Sequence, residues 1–432
     1  MKEKLTMAID ICSSKVSMMV GKEHAKGQMT FLAHYYIPCD GLQKGCIENV
    51  EQVAQSIKSC YKELEKAMVE NGLGSEYHSL RDVTVGIATK HTRYESIPNS
   101  QTRRNRNTPI TQKEVDELRK EIENMAAKEG EKIIHVIAQS YYVDKNFVSP
   151  QKIVGCTGSH ITANYFVSIA NVEEMKKISQ CTNQFNLQPK NFIVTPIASA
   201  NAVLLPEERE NMRVAVVDMG SAFTDIAVYH KGALQGTFNI DFAGGDSLTN
   251  EIVHACKISV DKANEVKEAE GLCMSELASI DKFIEFSAFY GQAPQKLSQR
   301  GLAEIIQPRM ELIVDAIDKL IERSGSRVER IVFTGGGAKM QGLKELTESI
   351  TGCEVRIGIP YIQTEQDTIA MPTKFATNIG LVLSNNNESK KGKVSLPWWG
   401  RRMNLFDGID LGRVTDVLVN AFNEKEEVEI PA

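Results

Sequence analysis

The feature that most constrains this chain is a strand–aspartate–turn–strand unit that occurs twice. Residues 214–229 read V-A-V-V-D-M-G-S-A-F-T-D-I-A-V-Y: an apolar run ending at Asp218, a turn of small residues at Gly220, Ser221 and Ala222, and a second apolar run. Residues 7–20 repeat the pattern, with Asp10 after the first run, Cys12, Ser13 and Ser14 in the turn, and Lys15 opening the second run. Apolar runs of this length around a short turn predict buried β-hairpins. A carboxylate beside a tight turn suits a hydrated cation, while the turn's amides suit an anion. Taken singly, such a unit reads better as an ordinary hairpin with a solvated Asp. Its recurrence predicts a duplicated fold whose halves face one ligand.

A third element joins them. Residues 331–337 read I-V-F-T-G-G-G, a strand running into Gly335, Gly336 and Gly337. Residues 338–350 then predict a helix, with Met340, Leu343, Leu346 and Ile350 as its apolar face. Glycines between strand and helix let backbone approach a ligand without interference from Cβ. Gly244 and Gly245 offer a second such approach; Ser247 or Thr249 just after them is either a ligand contact or a plain helix cap.

Two such hairpins and T-G-G-G before a helix resemble the actin–Hsp70–sugar kinase superfamily of ATP-binding folds. Further stretches are similar to those of the bacterial cell-division family FtsA: G-L-Q-K-G-C-I-E-N at 41–49, H-V-I-A-Q-S-Y-Y-V-D at 135–144, P-I-A-S-A at 196–200 and L-A-E-I-I-Q-P-R at 302–309. The resemblance runs in order along nearly the whole chain. It implies an α/β, actin-like two-lobed fold built from duplicated ribonuclease H-like domains. The first lobe would comprise 1–89 and 166–208, with an inserted subdomain at 90–165. The second lobe, with a helical subdomain, would span 209–384, followed by a flexible linker at 385–397 and an amphipathic C-terminal tail at 398–432.

The resemblance also implies ATP with Mg²⁺ between the lobes. Asp10 and Asp218 would hold water around the metal, which needs few direct carboxylates. Cys12, Ser13 and Ser14 on one side and Gly220, Ser221 and Ala222 on the other would clasp the phosphates, and Lys15 would neutralise them. Gly335, Gly336 and Gly337 would pack along the adenosine, with Glu265 and Lys267 beside the ribose and base. The chain departs from the family where Cys12 replaces Gly, and where Ser221, Ala222 and Phe223 replace Gly, Gly and Thr. Side chains on phosphate-facing turns narrow the approach, so nucleotide binding is expected to be weaker than in a typical member, or absent. Thr195 stands where bacterial actins with clear ATPase activity carry a water-orienting Glu, and a threonine is a poor base; no catalytic residue is assigned.

Composition excludes other classes. The net charge of −6 over 432 residues makes no global electrostatic case for nucleic acid. None of the nine cysteines sits in a C-x-x-C pair, so neither a structural zinc site nor a disulfide framework is expected and a reducing compartment fits. No P-loop motif occurs. The charged start, with Asp10 interrupting any apolar core, predicts no signal peptide, and no apolar run is long enough to span a bilayer. Arg103, Arg104 and Arg106 are expected in a solvated loop.

The end of the chain turns amphipathic. Trp398, Trp399, Arg401, Arg402, Met403 and Phe406 are followed by a second stripe at Leu411, Val414, Leu418 and Phe422. Such a segment behind a polar linker needs a partner surface, lipid or protein; Trp with Arg suits an anionic interface. Gly412 and the acidic run 424–429 favour protein or the chain's own body instead. The resemblance implies a membrane-targeting helix. It further implies a protein that polymerises head to tail, anchors the FtsZ ring to the cytoplasmic face of the cell membrane at the division site, and recruits later division proteins through 90–165. The insert read without the resemblance is a decoration with no partner. The competing readings are a sugar or small-molecule kinase and a nucleotide-free structural homologue. A kinase needs an acid facing a substrate hydroxyl; Asp144 and Asp225 are available, with nothing in the sequence placing either there.

Overall fold

The structure, a computed structural model, describes residues 4–24, 28–43, 45–125, 127–286, 295–325, 327–364 and 368–389. The tail residues 398–422 singled out above lie outside the described residues. Residues Met1–Ser395 form one compact unit.

Two five-stranded sheets share one topology. In the first, Met29–Pro38, Lys15–Glu23 and Lys4–Ile11 run antiparallel in turn, and Asp82–Ile87 and Gln188–Val194 add on in parallel. In the second, Ala233–Ile240, Thr224–His230 and Arg213–Met219 are antiparallel, and Arg330–Thr334 and Glu354–Ile357 follow in parallel. The duplication expected from the repeated hairpin is therefore present strand for strand. Both faces of each sheet are covered, which is why the strands read as continuous apolar runs rather than alternating ones.

Strand periodicity of two divides the residues among the cores. Ala8, Val214 and Val216 point into a central core shared by both sheets, with Ala198, Ala202 and Ile379 from the helices between them. Met7 and Ile9 face outward onto Val53, Ile57, Leu64 and Met68. These belong to the helix Val50–Glu70, started by the Asn49 side chain accepting from the Glu51 and Gln52 amides. Ala215 and Val217 face outward onto Leu302, Ile306, Ile313 and Ile317 of the helix Gln299–Arg323.

The two central helices, Thr195–Val203 and Ala376–Ser389, cross closely because their residues are small. A Cβ built on Gly380 would lie 1.8 Å from the Ala198 carbonyl oxygen. The P-I-A-S-A stretch thus has a packing reason for its small side chains.

The chain between the paired strands Asp82–Ile87 and Gln188–Val194 forms a four-stranded sheet, ordered Thr92–Thr102, His160–Asn171, Glu131–Val143, Asn146–Val148. The strand His160–Asn171 runs through position 165, where the sequence reading ended the insert. The helix Gln112–Glu123 begins at a capping box, Thr111 with Glu114 three residues on.

Two expectations need correction. Arg103 is not solvated: it is 9% exposed and donates to Glu114 Oε1 at 2.8 Å and to the Thr108 and Gly158 carbonyls at 2.9 Å, closing the insert's loops onto its helix. Paired charge is what makes that burial tolerable. The helix expected over 338–350 is in fact a 3₁₀ turn Gly336–Lys339 and a helix Leu343–Thr351. They are separated by Gly342, whose φ of +79° breaks the helical run. Ile350 is consequently 40% exposed rather than part of the apolar face.

Candidate functional site

The two hairpin turns are equivalent in geometry. Cys12 N–H donates to the Lys15 carbonyl and Gly220 N–H to the Phe223 carbonyl, each at 3.0 Å. Each turn thus has a two-residue tip, Ser13–Ser14 in one and Ser221–Ala222 in the other, with an aspartate two residues before the closing bond. The second turn runs one residue further than its small residues suggested, and Phe223 holds the place that Lys15 holds in the first.

The tips meet. Ser13 Oγ lies 2.9 Å and Ser14 Oγ 3.4 Å from Ser221 Oγ. Below them sit three carboxyls. Asp10 is 5% exposed, and burial pushes its pKa up to about 6, against the opposing hydrogen bond from Cys12 and the charge of Lys15, with Asp218 adding to the rise. Cys12 Sγ donates to Asp10 Oδ2 at 2.9 Å; burial, then the Asp10 charge, push the thiol well above its usual range, which keeps it a donor. Asp218 is likewise raised by burial, while it accepts from Ser199 and from Thr377 Oγ1 at 2.9 Å. Asp225, directly opposite Asp218 on the neighbouring strand, is 3% exposed; burial first, with Asp218 adding, raises it to about 6. It accepts from Thr195 Oγ1 at 2.6 Å and Asn239 Nδ2 at 2.8 Å.

Asp10 and Asp218 therefore come together from opposite lobes, as the sequence reading required. Like charges held in a buried site raise one another's proton affinity, and a cation relieves that repulsion. Lys15 lowers both carboxyls, while its Nζ lies 5.3 Å from the Tyr36 ring centre and 5.7 Å from that of Phe375. The donor set fits a hydrated divalent cation.

The glycines serve the hairpins first. A Cβ on Gly335 would lie 2.4 Å from Asp218 Oδ1, and one on Gly337 2.5 Å from Met219 Cγ; Gly336 alone of the three faces open space. A Cβ on Gly244 would lie 2.1 Å from the Ser221 carbonyl oxygen. The Gly245 and Asp246 amides donate to the Gly220 and Ser221 carbonyls at 3.0 and 2.8 Å. The second backbone approach expected at Gly244 and Gly245 is thus engaged with the turn itself. Ser247 Oγ donates to the Gly244 carbonyl, and Thr249 Oγ1 to Asn264 Oδ1 at 2.6 Å. Lys267 Nζ donates to Thr249 Oγ1 at 2.8 Å and Asn264 Oδ1 at 3.0 Å, bracing the same helix start. Glu265 stands apart from these groups: it is exposed and paired with Lys262.

Several residues at the site were not singled out for it by the sequence. Thr195, read there only as a failed base, supports Asp225. Residues 373–378 strap the parts together: Thr373 Oγ1 donates to the Gly335 carbonyl at 2.6 Å, Thr377 to Asp218, and Asn378 Nδ2 to the Ser17 carbonyl at 3.0 Å. Of the two kinase candidates, Asp144 is remote, its carboxylate accepting from the Ser159 and His160 amides in a turn of the insert. Asp225 is buried opposite Asp218, with both its oxygens engaged.

Comparison with known proteins gives consistent likenesses. The model of the family described as cell division protein FtsA matches residues 215–380, and that of the SHS2 domain inserted in FTSA matches residues 91–169. Curated proteins named cell division protein FtsA are similar along their length. That of Pseudomonas aeruginosa is 29% identical, covering 90% of this chain and 91% of the relative. That of Escherichia coli K12 is 25% identical, covering 93% and 97%. Among solved structures, a PilM–PilN type IV pilus biogenesis complex aligns with a TM-score of 0.57 at 16% identity, covering 88% of this chain and 98% of that one. MreB 5 of Spiroplasma citri bound to AMPPNP aligns with a TM-score of 0.53 at 11% identity, covering 90% and 97%. At these identities the structural likeness speaks for the fold, which is the actin-like, two-lobed one.

Proposed function

Because this chain belongs to the FtsA family of cell-division proteins, we propose that it acts as an actin-like scaffold at the division site. In this reading it holds ATP and Mg²⁺ between its lobes and assembles head to tail with copies of itself. It ties the FtsZ polymer to the inner face of the cytoplasmic membrane through residues 398–422 and engages later division proteins through the insert. The observation that carries the nucleotide part is the pairing of Asp10 and Asp218 from equivalent hairpins whose turn tips meet. Asp10 and Asp218 would hold the metal's water, and Lys15 would face the phosphates. Weak single-segment attachment to a membrane becomes firm along a filament through avidity, and head-to-tail contacts give open filaments.

Two measurements test this. Fluorescent ATP with Mg²⁺ is expected to bind the full chain saturably, and Asp218→Ala to weaken it by about tenfold or more, the loss of a charge-assisted contact. Unchanged affinity in that variant would remove the site as drawn. Separately, the full chain is expected to pellet with anionic liposomes, and a chain ending at Ser395 to stay in the supernatant. Equal pelleting of the two removes the membrane role of the tail.

A further inference from the structure

We propose that Ser221 and Phe223 make the second hairpin turn a two-point clasp, which closes the lobes on each other without ligand and which a terminal phosphoryl group must open. The ligand half of this inference rests on the nucleotide reading above; the clasp itself does not.

The polar point is the contact between equivalent serines. Ser13 and Ser221 occupy the same position in the two duplicated turns and meet at 2.9 Å, with Ser14 Oγ 3.4 Å from the same hydroxyl. The apolar point is Phe223. Its ring lies against Gly45, in the loop that precedes the first lobe's helix Val50–Glu70; a Cβ on Gly45 would be 2.5 Å from Phe223 Cε1, and Gly45 has a φ of +72°. The Gly45 carbonyl is held in turn by His91 Nε2 at 3.1 Å. One four-residue turn of the second lobe therefore grips the first lobe on both sides of its tip.

The turn cannot retreat freely. Its carbonyls at Gly220 and Ser221 accept the first amides of the helix Gly245–Cys256, and Gly244 is pressed against its back. Backing away would leave those helix-start donors unpaired. Nor is there room between the serines as they stand. One phosphoryl oxygen accepting from both hydroxyls, each about 2.7 Å away at a near-tetrahedral angle, needs the hydroxyls about 4.4 Å apart. A phosphoryl group seated there has to part them by about 1.5 Å. A nucleotide ending before that point does not. Ser221 thus sets how a triphosphate is admitted relative to a diphosphate, by making a contact that the longer ligand must break.

The test uses the full chain, Ser13→Ala, Ser221→Ala and the double variant. Without nucleotide, amide exchange in the two turns is expected to rise about fivefold in either single variant, the net worth of one hydroxyl contact, and no further in the double. Additive effects overturn the clasp. With fluorescent ATP and ADP, Ser221→Ala is expected to speed ATP association about threefold to tenfold, because the contact no longer has to be broken first, and to leave ADP association within about twofold. Unchanged or slower ATP association, or the same change for both nucleotides, overturns the phosphoryl half. If no chain binds either nucleotide, the nucleotide reading and the phosphoryl half fall together, and the exchange result alone decides the clasp.

Discussion

Replacing Glu208 with alanine is expected to cost about 3–5 kcal/mol of stability, the penalty for stripping one partner from a buried ion pair. Glu208 sits on the short helix Pro206–Asn211, in the segment that joins the two lobes, and is 0% exposed. Arg356 Nε donates to it at 2.6 Å and Arg330 Nη1 at 2.8 Å, while its Oε2 accepts the Leu205 amide at 2.9 Å. Burial alone would push its pKa up; the Arg356 and Arg330 guanidiniums and the Leu205 amide outweigh it and hold the carboxyl below its usual range. Without the carboxylate, Arg330 keeps Glu354 as a partner, bonded at 2.7 Å. Among the described residues, Arg356 keeps carbonyl acceptors at Val203 and Ile357. The loss therefore falls mainly on the strand Glu354–Ile357 and on the helix Pro206–Asn211. Both tryptophans lie in the tail, so far-UV circular dichroism during urea unfolding is the suitable measurement. A midpoint within error of wild type would show that the pair contributes nothing net. The double variant Glu208→Leu with Arg356→Met is expected to recover most of the loss, because replacing both charges leaves no uncompensated ion.

The hairpins were legible because their signal is local. An apolar run, an aspartate and a turn of small residues determine each unit within about fifteen residues, and the repetition made the duplication readable before any topology was known. The helix Val50–Glu70, whose buried Val53, Ile57, Leu64 and Met68 recur at steps of four and seven, and the Thr111–Glu114 capping box carry equally local signals. What escaped was set by topology. Asp225 finds Thr195 across 30 residues and Thr377 finds Asp218 across 159; no periodicity encodes either pairing. The burial of Arg103 was hidden because three arginines in a polar stretch look solvated, and the partner that pairs with it, Glu114, already had an explanation as a capping residue. Phe223 was read as a residue that spoils a phosphate turn. Its contact with Gly45 depends on the other lobe, which its own sequence neighbourhood does not contain. The helix after the glycines was overextended because spacings of three and four residues at Met340, Leu343 and Leu346 suit one helix, whereas Gly342 sits left-handed in the middle of them.

Acid is expected to act on two parts of the molecule with opposite sign, and two isosteric variants separate the effects. Asp225 has its pKa raised from 3.8 to about 6 by burial, with the facing Asp218 adding to it. The folded state then holds this proton where the unfolded chain has released it, so stability falls as pH rises from about 4 to about 6. Asp225→Asn keeps an acceptor for Asn239 and offers a donor to Thr195. It is expected to match wild type near pH 4 and to exceed it by up to about 3 kcal/mol above pH 7. His135 behaves in reverse. It accepts the Val194 amide through Nε2 at 3.3 Å. Burial, helped by the Arg119 charge, lowers its pKa from 6.5 to about 4. The unfolded chain takes up the proton first, so this contribution is intact above pH 6.5 and drains away as pH falls towards 4. Because the ring is only partly buried, the loss is about 2 kcal/mol at most after allowing for solvent screening. His135→Gln, which still offers an oxygen to the amide, is expected to gain on wild type as the solution is acidified. Thermal midpoints of the three chains at pH 4.5, 5.5 and 7.5, taken without nucleotide or metal, should therefore diverge in opposite directions. Parallel curves would mean that neither group changes its proton affinity on folding.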